Sequence, residues 1–161
     1  MKYFTSDLWL KIQNSTTRKD AEMRWDKNDK IYEKEFKNIR KQLPTMFLNI
    51  FDKECGFHDF VVEEINIKKI EKKTVVSSID ICIKIKNGNK CYDIILKSVE
   101  TYRINIVDRS YCICGNLSWG YSEFEILKDG NIKLSLLCDV VNEFEFTFRK
   151  IQIKKCKHKK E

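Results

Sequence analysis

The chain has 161 residues, of which 42% are hydrophobic and 34% are charged, and its formal net charge is +7. This length fits one ordinary domain with its own core, so we expect a single domain over residues 1–161. The first residues turn polar at once, unlike a secretory signal, and no uncharged stretch approaches the roughly 20 apolar residues of a membrane-spanning helix. We therefore expect a cytoplasmic protein with no membrane contact.

The first third of the chain, residues 1–56, predicts helices. Thr5 or Ser6 can cap a short first helix. A long second helix is predicted from about Thr17 to Gln42, because one face of it repeats apolar residues at helical spacing. Pro44 starts a short third helix and Gly56 suits its left-handed end. The predicted buried face of this third helix comprises Met46, Phe47, Ile50 and Phe51.

Residues 57–153 predict an antiparallel sheet. Apolar and polar residues alternate strictly in several segments, as in Phe144, Phe146 and Phe148, and a period of two is typical of strands with one buried face. We expect a meandering sheet of about six or seven strands. Helices followed by strands indicate the α+β class, with the helices packed on the sheet.

Two turn signals predict the register of the sheet. Asn87-Gly88 indicates a two-residue loop that would place Ile83 opposite Tyr92. A three-residue loop from Lys128 to Gly130, with Gly130 left-handed, would place Phe124 opposite Leu134. In the last predicted strand, residues 143–154, the apolar positions change parity, which indicates a bulge or bend near Arg149 and Lys150.

Candidate catalytic and metal-binding residues are few. A Cys–His or Ser–His–Asp arrangement would have to use His58, with Cys55 or Asp59 beside it, and we expect a hydrogen-bonded turn histidine instead. The pairs Cys55-x-x-His58 and Cys112-x-Cys114 are too sparse for a zinc site. We expect no enzymatic activity, no metal and no cofactor, and we expect the seven cysteines to be reduced thiols.

The positive charge is concentrated at the C-terminal end, where residues 149–161 carry a net charge of +6. A basic tail over residues 154–161 can contact nucleic-acid phosphates, and it can equally be a solvated terminus. Lysine greatly outnumbers arginine, although arginine is the better residue for planar phosphate recognition. We therefore favour a compositional bias over selection for nucleic-acid binding as the origin of the lysines. The nucleic-acid alternative would use Lys154, Lys155, Lys157, Lys159 and Lys160.

A candidate protein-binding surface lies around the uncharged segment from Ser110 to Ser122. Either Trp119 and Tyr121 are aromatic anchors for a partner, or Trp119 plugs the sheet end against the helices. The strand order would place Tyr121, Leu137 and Glu145 in one row on the outer face, and such a mixed face suits protein contact. The predicted partner-binding residues are Trp119, Tyr121, Glu123, Leu137 and Glu145.

Three segments together carry a resemblance to known proteins. They are Tyr3-Phe4-Thr5-Ser6-Asp7-Leu8-Trp9, Gly56-Phe57-His58-Asp59, and the C-terminal series Trp119-Gly120-Tyr121-Ser122-Glu123, Asp129-Gly130 and Phe144-Glu145-Phe146. The combination resembles an uncharacterised family of small cytosolic bacterial α+β proteins. Its C-terminal pattern is similar to that of immunity proteins of polymorphic toxin systems. The resemblance implies a non-enzymatic domain that binds and neutralises a toxin domain.

Overall fold

A computed structural model describes residues 1–71, 77–107, 117–139 and 141–156. In these ranges, three helices precede six antiparallel strands, which confirms the predicted α+β class. The helices are α1 (Ser6–Gln13), α2 (Arg18–Ile39) and α3 (Thr45–Lys53). The strands are β1 (Phe60–Ile70), β2 (Ser78–Asn87), β3 (Lys90–Asn105), β4 (Leu117–Ile126), β5 (Ile132–Cys138) and β6 (Asn142–Lys155).

The six strands form a closed barrel in the order β1-β2-β3-β6-β5-β4. Every pairing is antiparallel, as predicted, but the order is not a simple meander, because β3 neighbours β6. Three residue pairs between β1 and β4 close the barrel. The strand β6 extends through Lys155, so the first two lysines of the predicted tail belong to the sheet.

The helices follow the predicted boundaries closely. The Thr5 side chain caps α1 by accepting a hydrogen bond from the Leu8 N–H at 3.3 Å. A 3-10 turn from Arg40 to Gln42 continues α2, so helical structure ends where it was predicted to end. In α3, Phe47 is buried, but Met46 is 64% exposed, so its predicted burial is wrong. Adjacent helical residues point about 100° apart, and only one of this pair faces the barrel.

Apolar side chains fill the barrel interior. The residues without any exposed surface come from several strands and from the turn after α3, and they include Phe57, Ile81, Ile83, Ile85, Ile94, Leu96, Leu134, Leu136, Phe144, Phe146 and Phe148. Phe47 of α3 packs against the same cluster. The barrel is therefore a packed core with α3 against it, and any site must lie on its surface.

The register of the first predicted hairpin is wrong by two residues. Asn87 pairs with Lys90, so the loop is Gly88-Asn89 and Ile83 lies opposite Ile94. Gly88 has a φ of +56°, and hairpin loops of two residues need a positive φ at their first position. Because side chains alternate between the two faces of a strand, a shift of two residues leaves the same side chains on the buried face.

The second predicted hairpin and the parity change in the last strand are both confirmed. Phe124 pairs with Leu134, and Gly130 has a φ of +81°. Arg149 and Lys150 are both exposed between the buried residues of β6 on either side. The bulge that accompanies this change, however, lies in the neighbouring strand β3, whose register on β6 shifts between residues 99 and 101.

A disulfide joins Cys91 at the start of β3 to Cys156 just after β6. The expectation that all the thiols are reduced is therefore wrong for this pair. The cause is the β3–β6 register, in which Tyr92 pairs with Lys155, so the next position places the two cysteines opposite each other with 5.2 Å between their Cα atoms. Cys55 and Cys82 are free thiols.

Replacing Cys156 by serine should lower the free energy of unfolding by about 2 kcal/mol, because the disulfide closes a long loop and restricts the unfolded chain. The sequence separation of the two cysteines is 65 residues. Urea unfolding without reductant measures the difference. With reductant present, the variant and the original protein should unfold at nearly the same urea concentration, and a persistent difference would contradict this explanation.

A buried carboxylate connects α3 to the β2–β3 hairpin. Glu54 is 4% exposed, and it accepts hydrogen bonds from Lys90 Nζ at 2.6 Å and from the Tyr92 hydroxyl at 3.0 Å. The hydrogen bond from Lys90 holds the pKa of the Glu54 carboxyl below its usual range, against the opposing effect of burial. The ionised form therefore stabilises the folded state.

The stability of the protein should fall in acid through Glu54. A carboxyl whose pKa is lower in the folded state than in the unfolded chain stabilises the folded state. This contribution is complete above the pKa of the unfolded chain, about 4.3, and is lost as the pH falls through the pKa of the folded state. Between about pH 5 and pH 3, Glu54→Gln should therefore lose less stability than the original protein. Glu33→Gln, on the exposed face of α2, is the control and should keep the original slope.

Candidate protein-binding site

The chain's own N-terminal residues cover part of the predicted partner-binding face. The Glu123 carboxylate, on the outer side of β4, accepts hydrogen bonds from the backbone N–H groups of Lys2, Tyr3 and Phe4, each at 2.7 Å. Glu123 is 7% exposed. Its prediction as an exposed contact residue is wrong, because its carboxylate fastens the N-terminal segment to the barrel.

Trp119 and Leu137 are 1% and 0% exposed. The prediction of Leu137 as a surface contact is therefore wrong, and of the two alternatives for Trp119 the structure supports the position in the core. The reason at Trp119 is a bulge at Gly120, where the register of β4 on β5 shifts. A Cβ atom at Gly120 would lie 2.6 Å from the Leu137 carbonyl oxygen, so the strands need glycine there. The bulge turns Trp119 into the core and leaves Tyr121 on the outer face.

Tyr121 is half-buried in an aromatic cluster that we define as Phe4, Trp9, Trp25 and Tyr121. Its ring centroid lies 4.7 Å from that of Trp25, 5.5 Å from that of Phe4 and 5.6 Å from that of Trp9. Burial raises the pKa of the Tyr121 hydroxyl. The ring therefore packs the N-terminal segment, α1 and α2 onto β4, and a partner-binding role for Tyr121 stays a prediction.

The predicted row of Tyr121, Leu137 and Glu145 across the outer face is wrong at Glu145. Leu137 pairs with Tyr121 on one side and with Glu143, not Glu145, on the other. Glu145 forms an ion pair with Lys133 at 3.1 Å. Burial opposes its ionisation, but the hydrogen bond from Lys133 contributes to holding the pKa of Glu145 below its usual range. A partner-binding role for Glu145 stays a prediction.

The candidate catalytic histidine lies in a surface turn. His58 Nδ1 and Asp59 Oδ1 are 3.0 Å apart, and the His58 ring packs edge-on against Tyr121 at 5.2 Å. Both side chains of the pair are exposed, as is Cys55. The predicted position of His58 in a turn is confirmed. Within the described ranges, no three His, Cys, Asp or Glu side chains come together as metal ligands.

The predicted nucleic-acid residues are only partly described. Lys154 and Lys155 are exposed at the end of β6. Lys157, Lys159 and Lys160 lie outside the described residues, as do Cys112, Cys114 and the part of the uncharged segment before residue 117.

A different surface feature appears where β6 extends beyond β5. The last β5 pair along this direction is Ile132 with Phe148, so β6 residues 149–155 pair only with β3. In the part of the chain that the structure describes, no strand or loop backbone pairs with their other edge. A strand edge of seven residues therefore presents unpaired N–H and C=O groups.

The free edge of β6 borders an apolar groove whose opposite wall is α3. The groove has a volume of about 770 Å³. Its α3 side is formed by Gln42, Pro44, Met46, Phe47 and Ile50, and its other side by residues 149–155 together with Ile132. We call this feature the edge groove, meaning the free edge of residues 149–155 together with the apolar residues Pro44, Met46, Phe47, Ile50 and Ile132.

Four cations border the edge groove. Arg149 approaches Glu100 at 3.4 Å in an exposed ion pair. Among the described residues, no carboxylate lies within ion-pair distance of Lys150, Lys154 or Lys155, although Asp93 of β3 is the cross-strand neighbour of Lys154. Because side chains alternate along a strand, Lys150, Gln152 and Lys154 share one face of β6 and all three are exposed.

The sequence analysis did not predict the edge groove. Its one signal is the alternation in the last predicted strand, which continues to residue 154. In the structure β6 has 14 residues and β5 has seven, so β6 extends beyond the end of β5. The apolar wall from α3 has no such signal, because the position of a helix on a barrel depends on long-range packing.

No protein-family model matches this chain, and a search of curated proteins found no match. In the described residues, no helix is both long enough and apolar enough to cross a membrane.

Proposed function

We propose that the chain is a protein-binding module that acts without catalysis and binds its partner at the edge groove. The observation that carries the proposal is the free edge of residues 149–155 beside an apolar wall. Exposed strand edges recruit extended segments of other proteins through backbone hydrogen bonds, while neighbouring apolar surface provides contact area. Met46, exposed on the rim, is a flexible apolar residue of the kind that adapts to bound surfaces.

A toxin domain is the specific partner class that we propose, in line with the resemblance to immunity proteins. Binding at the edge groove would neutralise such a toxin by covering or distorting the surface it needs. If a captured partner arrests growth when expressed alone, co-expression of the original chain should restore growth. Co-expression of an edge-groove variant should not, and equal protection by both would contradict this assignment.

The site is tested by capture from native lysate with three forms of the tagged full chain. They are the original protein, the double variant Lys150→Glu/Lys154→Glu, and the control Lys27→Glu/Lys34→Glu on α2. Both double variants change the net charge equally at exposed positions. We expect a protein that is captured in equimolar amounts by the original and the control but at least tenfold less by the edge variant.

Nuclease treatment of half of each sample separates protein partners from nucleic-acid bridges. A band that survives nuclease and depends on the edge groove supports the proposal. Equal capture of every specific band by all three forms would contradict it.

Nucleic-acid binding is the second candidate, and the observation in its favour is the exposure of four cations among the seven residues 149–155. Binding to phosphates would weaken steeply with salt. We would then expect a fluorescent single-stranded oligonucleotide to bind at low salt, and removal of residues 154–161 to abolish its binding. Binding that does not depend on salt or on these residues would exclude this role for the tail.

A further inference from the structure

We propose that the edge groove takes an acidic, extended peptide segment of the partner, which adds to β6 as an extra strand with its carboxylates beside Lys150 and Lys154. This inference rests on the proposed function and specifies the chemistry of the partner. Three properties of the edge groove carry it: the direction of its unpaired backbone groups, the alternation of its side chains, and the two exposed lysines on its outer side.

The backbone edge selects an extended segment. Residues 149–155 already have strand geometry, because they pair with β3 along their other edge from Tyr92 to residue 98. Their remaining N–H and C=O groups point towards the groove in the plane of the sheet, where an added strand would lie about 4.8 Å away. A helix presents no free backbone groups along its length and would leave this edge unsatisfied.

The side-chain alternation of β6 determines what the added strand must carry. Ile151 and Ile153 point to the inner side, next to the α3 wall, and are buried. Lys150, Gln152 and Lys154 point to the outer side. An added strand therefore needs apolar residues at every second position for the inner side. On its outer side it needs carboxylates four residues apart, because directly opposed opposite charges stabilise strand pairs.

The same charges disfavour a second copy of this chain as the occupant. If two copies paired antiparallel about Gln152, Lys150 of one would lie opposite Lys154 of the other. Like charges directly opposite each other destabilise strand pairing. Lysines at a free edge thus oppose self-association while leaving the edge open to an acidic strand.

The test uses a synthetic peptide of the predicted pattern, acetyl-Val-Glu-Val-Thr-Val-Glu-Val-amide carrying a fluorophore, and the full-length protein. Fluorescence anisotropy measures its affinity. We expect binding by the original protein and by Lys27→Glu/Lys34→Glu, and at least tenfold weaker binding by Lys150→Glu/Lys154→Glu. A peptide with lysine in place of both glutamates should show the reverse preference, because it restores opposite charges with the edge variant.

Hydrogen exchange then locates the bound peptide. Alternate backbone amides of residues 149–155 should exchange quickly in the free protein and slowly in the complex, since an added strand supplies acceptors for them. Binding without this protection, or binding of both peptides equally by all the proteins, would overturn the inference.

Failure of the inference and failure of the proposed function give different results. If a natural partner depends on the edge groove but the acidic peptide does not bind, the proposed function stands and the acidic strand is wrong. If the peptide binds as expected but capture of every natural partner is independent of the edge groove, the proposed function fails. Preferential binding of an oligothymidine probe over the peptide, lost in the edge variant, would overturn the acidic strand in favour of nucleic acid.

Discussion

Replacing Glu123 by alanine is expected to lower the free energy of unfolding by about 4 kcal/mol, the largest effect we expect from a single charged residue in this chain. The Glu123 carboxylate accepts three backbone hydrogen bonds from Lys2, Tyr3 and Phe4. Hydrogen bonds to a charged group are each worth about 1.5–3 kcal/mol, and buried donors left without an acceptor add a desolvation cost. Urea unfolding measures the loss.

Glu125→Ala is the matched control for Glu123. The two residues lie two positions apart on the same strand, but Glu125 is exposed. We expect its replacement to change the free energy of unfolding by less than about 0.5 kcal/mol, as is usual for surface positions. In the Glu123 variant, Trp25 and Tyr121 should also become more exposed, because the N-terminal segment would leave the outer face. Equal stability of the two variants would show that the N-terminal segment is not held by Glu123.

Replacing Trp119 by alanine should lower the free energy of unfolding by about 4 kcal/mol, because it empties a large site in the barrel core. The Trp119 ring packs edge-on against Phe57 with 5.7 Å between the ring centroids. In contrast, Trp119→Phe should lose only about 1 kcal/mol. The buried Trp119 Nε1–H has no hydrogen-bond partner among the described residues, so phenylalanine breaks no hydrogen bond to any of them.

The pair of Trp119 variants distinguishes a core position from a binding residue. Thermal unfolding reports the stability of each variant, and capture of a partner reports binding. We expect Trp119→Phe to bind the partner as well as the original protein does. A Trp119→Phe variant that is stable but fails to bind the partner would show that Trp119 contributes to binding.

Local patterns in the sequence were sufficient for the element types and for one hairpin register. The loop from Lys128 to Gly130 needs a left-handed residue at its end, and only glycine meets that need at low cost, so the register of β4 on β5 could be predicted. In the first hairpin, either Asn87-Gly88 or Gly88-Asn89 satisfies the alternation. The choice between them depends on packing that the local sequence does not contain.

The candidate site could not be placed because it depends on non-local contacts. The bulge at Gly120 sets Trp119 and Tyr121 on opposite faces, although strict alternation would keep them together. Its cause is the close approach of the Leu137 backbone on another strand. Likewise, Cys91 and Cys156 meet only because β3 neighbours β6, an adjacency that no turn signal encodes.

The binding site assigned to the edge groove can be tested most directly by hydrogen exchange on the purified complex with a captured partner. We predict slower exchange in residues 149–155 and in the first turns of α3 on complex formation, with little change along the exposed face of α2. Protection confined to other parts of the chain, with residues 149–155 exchanging as in the free protein, would contradict the assignment.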